Sequence, residues 1–296
     1  MLVLLVLAGV GCGSTQRSPE PRRTAARPER PPIALAELHG RIVLSRRGDI
    51  WVANADASRL RRLTSRRGDE FDPSWSPDGS RIAYRDSRRG VNDNDEIYVM
   101  HADGSHQRNL TRSPVNEWSP SWSPDGRLIA FYSGEISTMR ADGSGARPLL
   151  EVEGEYPAWS PHGRRLAFMS SQPGARGSNP NYDVEVVNRD GSGLRRLTNW
   201  PGEDGWPAWS PDDRWIAFTT THDVRVGKYD IWVMRTDGRS KRRVAAGSFP
   251  VWSPDGRFLM FSTGGDQDSN GLSVVRADGS GLRSWPITGW LPDWRR

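Results

Sequence analysis

The 296-residue chain has a single cysteine, Cys12, so no disulfide can form within it and no cysteine cluster can hold a metal. Lysine is nearly missing: of 41 basic residues only Lys228 and Lys241 are not arginine. No apolar run approaches the ~20 residues that a membrane-spanning helix needs. The run from Leu2 to Gly11 has instead the length of a signal-peptide core. Neither G-x-S-x-G nor H-E-x-x-H occurs, which removes the nucleophile elbow of one hydrolase class and the helical zinc site of another. The histidines, His39, His101, His106, His162 and His222, fall singly among turns and loops and read as surface residues. The acidic stretch VNDNDE, 91–96, lacks the glycine and closing glutamate of a calcium loop. No metal or cofactor is implied.

What is abundant is tryptophan, with 14, and glycine, with 31. That pairing points to aromatic packing between tight turns. A chain of this length can bury on the order of 75% of its unfolded surface, enough for one large domain.

The tryptophans are not scattered. Trp75, Trp122, Trp159, Trp209 and Trp252 stand 47, 37, 50 and 43 residues apart, and Trp294 follows 42 further on. The first five open the phrases WSPDG, WSPDG, WSPHG, WSPDD and WSPDG. Periods near 40 with strand-like content mean propeller blades. Residues 73–111 hold one unit: PSWS is a short strand, PDG a turn, RIAYRD and EIYVM alternating strands, ADGS a turn, and RNLT a fourth strand.

Before the first unit, RIVLS, DIWVA and RLRRLT form a second, third and fourth strand without a first. At the far end, Leu291-Pro292-Asp293-Trp294 is a first strand with nothing after it. Pairing the two would remove both exposed sheet edges. The expected fold is therefore an all-β, six-bladed β-propeller of four-stranded blades, closed by pairing the C-terminal strand with the N-terminal three and occupying residues 38–296. The repeated tryptophans, Trp75, Trp122, Trp159, Trp209, Trp252 and Trp294, are its structural core, each facing a neighbouring blade.

WSPDG followed by an IAF-type strand, a YVM-type strand, Asp-Gly and LT resembles the WD40-like (PD40) repeats of TolB propellers, over residues 41–294. The resemblance implies an exported propeller that works through protein contacts. It does not carry over a partner, because TolB has an N-terminal α/β domain where this chain has a Pro/Arg-rich stretch. The repeats also resemble the propeller domain of prolyl-oligopeptidase-type enzymes, but closure at Trp294 leaves two residues where a hydrolase domain would follow.

The first twelve residues resemble a bacterial lipoprotein signal ending at Cys12, with Gly11 before the cysteine that would be lipidated. Gly9-Val10-Gly11 also suits ordinary small-x-small cleavage. Residues 13–37 read as a disordered tether. Up to Arg30 it carries Arg17, Arg22, Arg23, Arg27 and Arg30 against Glu20 and Glu29, three of the chain's net +5. The propeller is thus close to neutral, and the basic balance does not argue for nucleic acid. A basic tether beside a lipid gains about 1 kcal/mol per arginine at an anionic surface.

The longer loops, DSRRGVNDNDE, SQPGARGSNPNYD, THDVRVGKYD and GGDQDSNG, all fall on one face, and function on a rigid scaffold is usually placed on such loops. On that face an aromatic precedes each first strand: Phe71, Trp118, Tyr156, Trp206, Phe249 and Trp290. Glu70, Glu117, Glu155 and Asp204 stand beside four of them. As a ring, these aromatics and acids suit a basic peptide or a glycan; as packing, the aromatics cap the inter-blade core and the acids are a solvated rim. The expected function is a non-catalytic cell-envelope binding module, monomeric, for an envelope protein or peptide. The alternative is an envelope lyase or hydrolase, or a binding protein, acting on saccharides in the channel.

Overall fold

The computed structural model describes residues 30–65, 68–87, 94–150, 153–171, 181–222, 228–264 and 271–296. The export signal with Cys12, the tether through Glu29 and most of the four long loops lie outside them. Twenty-four described strands form six four-stranded antiparallel sheets, each ordered first to fourth strand from the centre outward. The innermost strands of blades 2 to 6 are Glu70–Trp75, Trp118–Trp122, Glu155–Trp159, Asp204–Trp209 and Ser248–Trp252. Blade 1 takes its innermost strand, Trp290–Arg295, from the far end of the chain and the other three from Arg41–Arg46, Asp49–Asn54 and Arg61–Arg62. In that closing ladder Arg41 faces Arg295 and Ile42 faces Trp294.

The S-P-D-G phrase is a turn held by its own side chains. The serine hydroxyl of Ser76, Ser123, Ser210 and Ser253 donates to the aspartate two residues on, at 2.6 Å each time. The same oxygen accepts the N–H five residues on, as from Arg81 and Leu128 at 2.9 Å. The last turn position needs a left-handed backbone, which glycine supplies at Gly79, Gly126, Gly163 and Gly256. In WSPDD, Asp213 adopts it instead, with φ 58°.

Each seam between blades holds one apolar cluster. Between blades 1 and 2, for example, Val43, Ile50, Val52 and Leu63 meet Trp75, Ile82, Tyr84 and Met100. All six repeat tryptophans are buried in these seams. The indole N–H of Trp209 donates to Ala158 O at 3.0 Å and that of Trp252 to Ala208 O at 3.1 Å, tying each blade to the one before. Arginine supplies a second tie. Arg41, Arg81 and Arg165 lie over Trp75, Trp122 and Trp209 of the next blade, 4.5 to 4.8 Å from the ring centres. At the rim, Arg61, Arg108 and Arg195 each donate to a backbone carbonyl of the next blade's outer turn at 3.0 Å.

Residues 31–37, assigned to the tether by composition, pack against blade 6. Ile33 is fully buried in the seam between blades 6 and 1. Its N–H donates to Gly281 O at 3.2 Å, and its carbonyl accepts from Arg283 at 2.8 Å. A single 3-10 turn, Leu35–Glu37, then leads into the first strand. No described helix is long and apolar enough to cross a membrane.

Deleting residues 288–296 removes the innermost strand of blade 1 and exposes two sheet edges; the melting temperature is expected to drop sharply, and an unchanged melting curve would refute closure. Trp209→Ala, which opens a cavity in the seam between blades 4 and 5, is expected to cost about 3 to 5 kcal/mol in urea unfolding.

Candidate binding site at the channel mouth

All six innermost strands are interrupted at the same place. In blades 2 to 6 the ladder to the second strand skips between the residue four before tryptophan and the one directly before it, as between Phe71 and Ser74. At the skip, the residue before proline takes a left-handed backbone: Asp72, Ser119, Tyr156, Trp206, Phe249 and Leu291, with φ between 48° and 55°. A side chain in that conformation costs roughly 1 kcal/mol, and here the cost recurs six times around one axis. These six residues, the prolines after them, and Ser74, Ser121, Val251 and Asp293 before the tryptophans line the central channel, a cavity of about 170 Å³.

The bulge divides the aromatics expected to form one ring. Tyr156, Trp206 and Phe249 occupy the left-handed position and line the channel. Phe71, Trp118 and Trp290 stand one residue earlier and do not line it. Phe71 is buried, and Trp118 stacks on Tyr132 at 4.1 Å. Five of the six are still in ring contact, by centroid distance: Tyr156 tilted against Trp206 at 5.4 Å, then edge-to-face pairs of Trp206 with Phe249 at 5.0 Å, Phe249 with Trp290 at 5.9 Å and Trp290 with Phe71 at 5.6 Å. The result is an aromatic arc over blades 4, 5, 6, 1 and 2.

The acids do not form a solvated rim. Glu70, Glu117 and Asp204 are all but fully buried in the seams, and Glu155 is half-buried. A threonine just beyond the preceding blade's fourth strand lies beside each buried one. Thr64 donates to Glu70 at 3.1 Å while accepting the N–H of Ile50. Thr111 lies beside Glu117 and donates to Glu96 at 2.5 Å, and Thr198 lies beside Asp204 and donates to Asp183 at 3.1 Å. Burial, reinforced by Glu96, pushes Glu117 up to about 7, and burial, reinforced by Asp183, pushes Asp204 up to about 6. Burial, then Glu153, also raises Glu155.

The acids that do reach the channel are Asp72 and Asp293. Asp72 accepts the N–H of Ser119 at 3.2 Å, and its carboxylate lies 3.9 Å from Arg85, whose guanidinium also covers the Phe71 ring. Asp293 accepts the N–H of Trp75 at 2.7 Å and has no ion pair among the described residues. Burial raises the pKa of both. Sequence patterning passed over them, although the units carried a signal. Asp293 stands where the other blades have Ser74, Ser121, Ala158, Ala208 and Val251, and Asp72 stands at the position that elsewhere faces the channel with Ser, Tyr, Trp, Phe or Leu. The channel is thus acidic on blades 1 and 2 and aromatic on blades 4 to 6.

A closed ring of six four-stranded blades around a lined channel defines the molecule as a six-bladed β-propeller. Two family models match it in series: the Tricorn protease N-terminal beta propeller domain over residues 35–144 and the TolB beta propeller domain, PD40, over residues 144–285. Among solved structures, TolB from Acinetobacter baumannii is 22% identical with a TM-score of 0.70, over 86% of this chain and 66% of that one. A putative TolB from Agrobacterium tumefaciens is 20% identical with a TM-score of 0.67, over 84% of this chain and 89% of that one. Tricorn protease is 18% identical with a TM-score of 0.66, and the match takes in 88% of this chain but only 26% of that one. No curated protein matches the sequence. The chain thus has a TolB-like propeller fold, with the PD40 model matched over residues 144–285.

The buried carboxyls set a pH dependence with a definite sign. For Glu117 and Asp204 the folded values exceed the unfolded ones, so their contribution is complete below about pH 4 and is lost as pH rises through about 6 to 7. Asp125 acts oppositely: burial opposes it, but the Ser123 hydroxyl, the Arg127 N–H and Arg189 hold it at about 2, so its contribution is lost as pH falls toward that value. The melting temperature is expected to peak at roughly pH 4 to 5 and to fall by a few degrees toward neutrality. Glu117→Gln should flatten that fall in a pH series of thermal melts; a fall as steep as the wild type's would remove Glu117 as its cause.

Proposed function

We propose that this chain is a non-catalytic binding module of the cell envelope whose channel mouth takes up a basic segment of an envelope protein or peptide. The observation that carries this is the division of the channel. A cationic side chain entering it meets Asp72 and Asp293 on one wall, while its aliphatic stem lies against Tyr156, Trp206 and Phe249 on the other. The left-handed backbone at six successive blades holds these groups on rigid strands, so little ordering entropy is lost on binding. The TolB likeness supports an exported, protein-binding role. In that role Cys12 is the lipidation site, and residues 13–29 are the link between lipid and propeller.

The test is a tryptophan-fluorescence titration with short peptides containing arginine or lysine and with their glutamine counterparts. Basic peptides are expected to bind and the counterparts not. Asp72→Asn and Phe249→Ala should each weaken binding about tenfold, equivalent to about 1.4 kcal/mol. Equal affinity for both peptide sets, or no loss in either variant, would sink the proposal; binding or turnover of oligosaccharides in their place would favour the saccharide alternative. Glu70, Glu117 and Asp204 are unsuitable targets, since their burial makes amide substitutions report on stability.

A further inference from the structure

The two ends of the ring differ in charge. At the mouth end four third strands carry an acid in their first two residues, Asp49, Glu96, Asp183 and Asp230, and Glu70, Glu117 and Asp204 stand at or just before the starts of first strands. At the opposite end lie the turns joining first to second and third to fourth strands, and these are rich in arginine. Arg127, Arg140, Arg164, Arg235, Arg239 and Arg296 are exposed there. One turn alone, between the third and fourth strands of blade 5, sets Arg235, Arg239, Lys241 and Arg242 against Asp237. The acids of this end are the turn aspartates, and their oxygens are occupied locally: Asp78 by Ser76 and Ser80, Asp190 by Ser192, and Asp278 by Ser280. These hydrogen bonds, from Ser76 and Ser192 above all, pull the pKa of Asp78 and Asp190 down and leave them charged, so the positive field on this side rests on the surplus of basic residues in the turns, as in the blade 5 turn.

The chain also enters the propeller at this end. Pro31 O accepts from Arg276, Ile33 bonds Gly281, and Arg30 lies 3.5 Å from Asp278, all in the last outer turn of blade 6. Upstream of Arg30 the sequence adds Arg17, Arg22, Arg23 and Arg27 and the apolar run from Leu2. The turns are short and of similar length, so their arginines gather at one end of the ring.

We propose that this short-turn end is a docking surface for an anionic lipid bilayer, so that the channel mouth faces away from the membrane. Positive charge and the entry, on the same side, of the chain that carries Cys12 favour a bilayer over a nucleic acid. The 17 residues from 13 to 29 can span about 60 Å when extended, so a tether alone would leave orientation open. The basic face is what sets it. This stands whether or not the channel takes a basic peptide.

The experiment is sedimentation of the full chain with neutral phosphatidylcholine vesicles and with vesicles containing phosphatidylglycerol. Arg164→Gln/Arg235→Gln/Arg239→Gln is compared with a mouth-end control of equal charge change, Arg47→Gln/Arg112→Gln/Lys228→Gln, and all are checked for equal melting temperature. The expected result is preference for the anionic vesicles, reduced ten- to a hundredfold in the first triple and by less than about twofold in the control. Equal binding to both vesicle types, or equal losses in the two triples, would overturn the proposal. So would a first triple that loses binding to double-stranded DNA while keeping its binding to anionic vesicles.

Discussion

Each blade is a sheet with apolar side chains on both faces, and neither face can be left in water. An open stack would solve this for every blade except the two at its ends. Bringing Trp290–Arg295 against Arg41–Arg46 solves it for all six, and the seam between blades 6 and 1 is then filled like the others, with Ile42, Leu44 and Trp294 against Phe258 and Met260. The constraint reaches beyond the strands: Ile33 and Leu38 complete the same seam, so the segment ahead of the first strand is packed in place by ring closure.

Closure also explains the arginine and tryptophan pattern. Inner strands converge on the channel, where the sheets lie closest and a large ring must fit a shallow neighbour. Ser74, Ser121, Ala158 and Ala208 leave that room. Further out the blades diverge, and a long side chain is needed to span the gap. Arg61, Arg108 and Arg195 do so by reaching a carbonyl, and Arg41, Arg81 and Arg165 by covering an indole. Much of the arginine excess at the short-turn end thus serves the fold, and the exposed remainder gives that end its charge.

Six blades share one plan, and the departures from it are where the chain becomes particular. A carboxylate at Asp293 replaces a small residue; an acid at Asp72 and three aromatics at Tyr156, Trp206 and Phe249 take a position that Ser119 and Leu291 fill elsewhere. Those exceptions fall on neighbouring blades and so sort into an acidic wall and an aromatic wall. A strictly repeated ring would have no such sides.

Blade number, strand order and the closing partner were legible in the sequence, because the repeat is local: S-P-D-G locks its own turn, and alternation sets which side chains meet the seams. The site was legible only in part. Tyr156, Trp206 and Phe249 were found, but counting back from tryptophan could not separate them from Phe71, Trp118 and Trp290, since a bulge of one residue reverses which way a side chain points. Nor could linear spacing tell that Glu70, Glu117 and Asp204 turn inward to threonines of the preceding blade, or that Asp293, 221 residues from Asp72, shares its channel. The sequence by itself determined the repeating unit, because that depends on contacts within about one period, and its closure, because the first strand missing ahead of Arg41 is left over at Trp290–Arg295. Tertiary structure alone decided which carboxylates face the channel, because six strands far apart along the chain meet there around one axis.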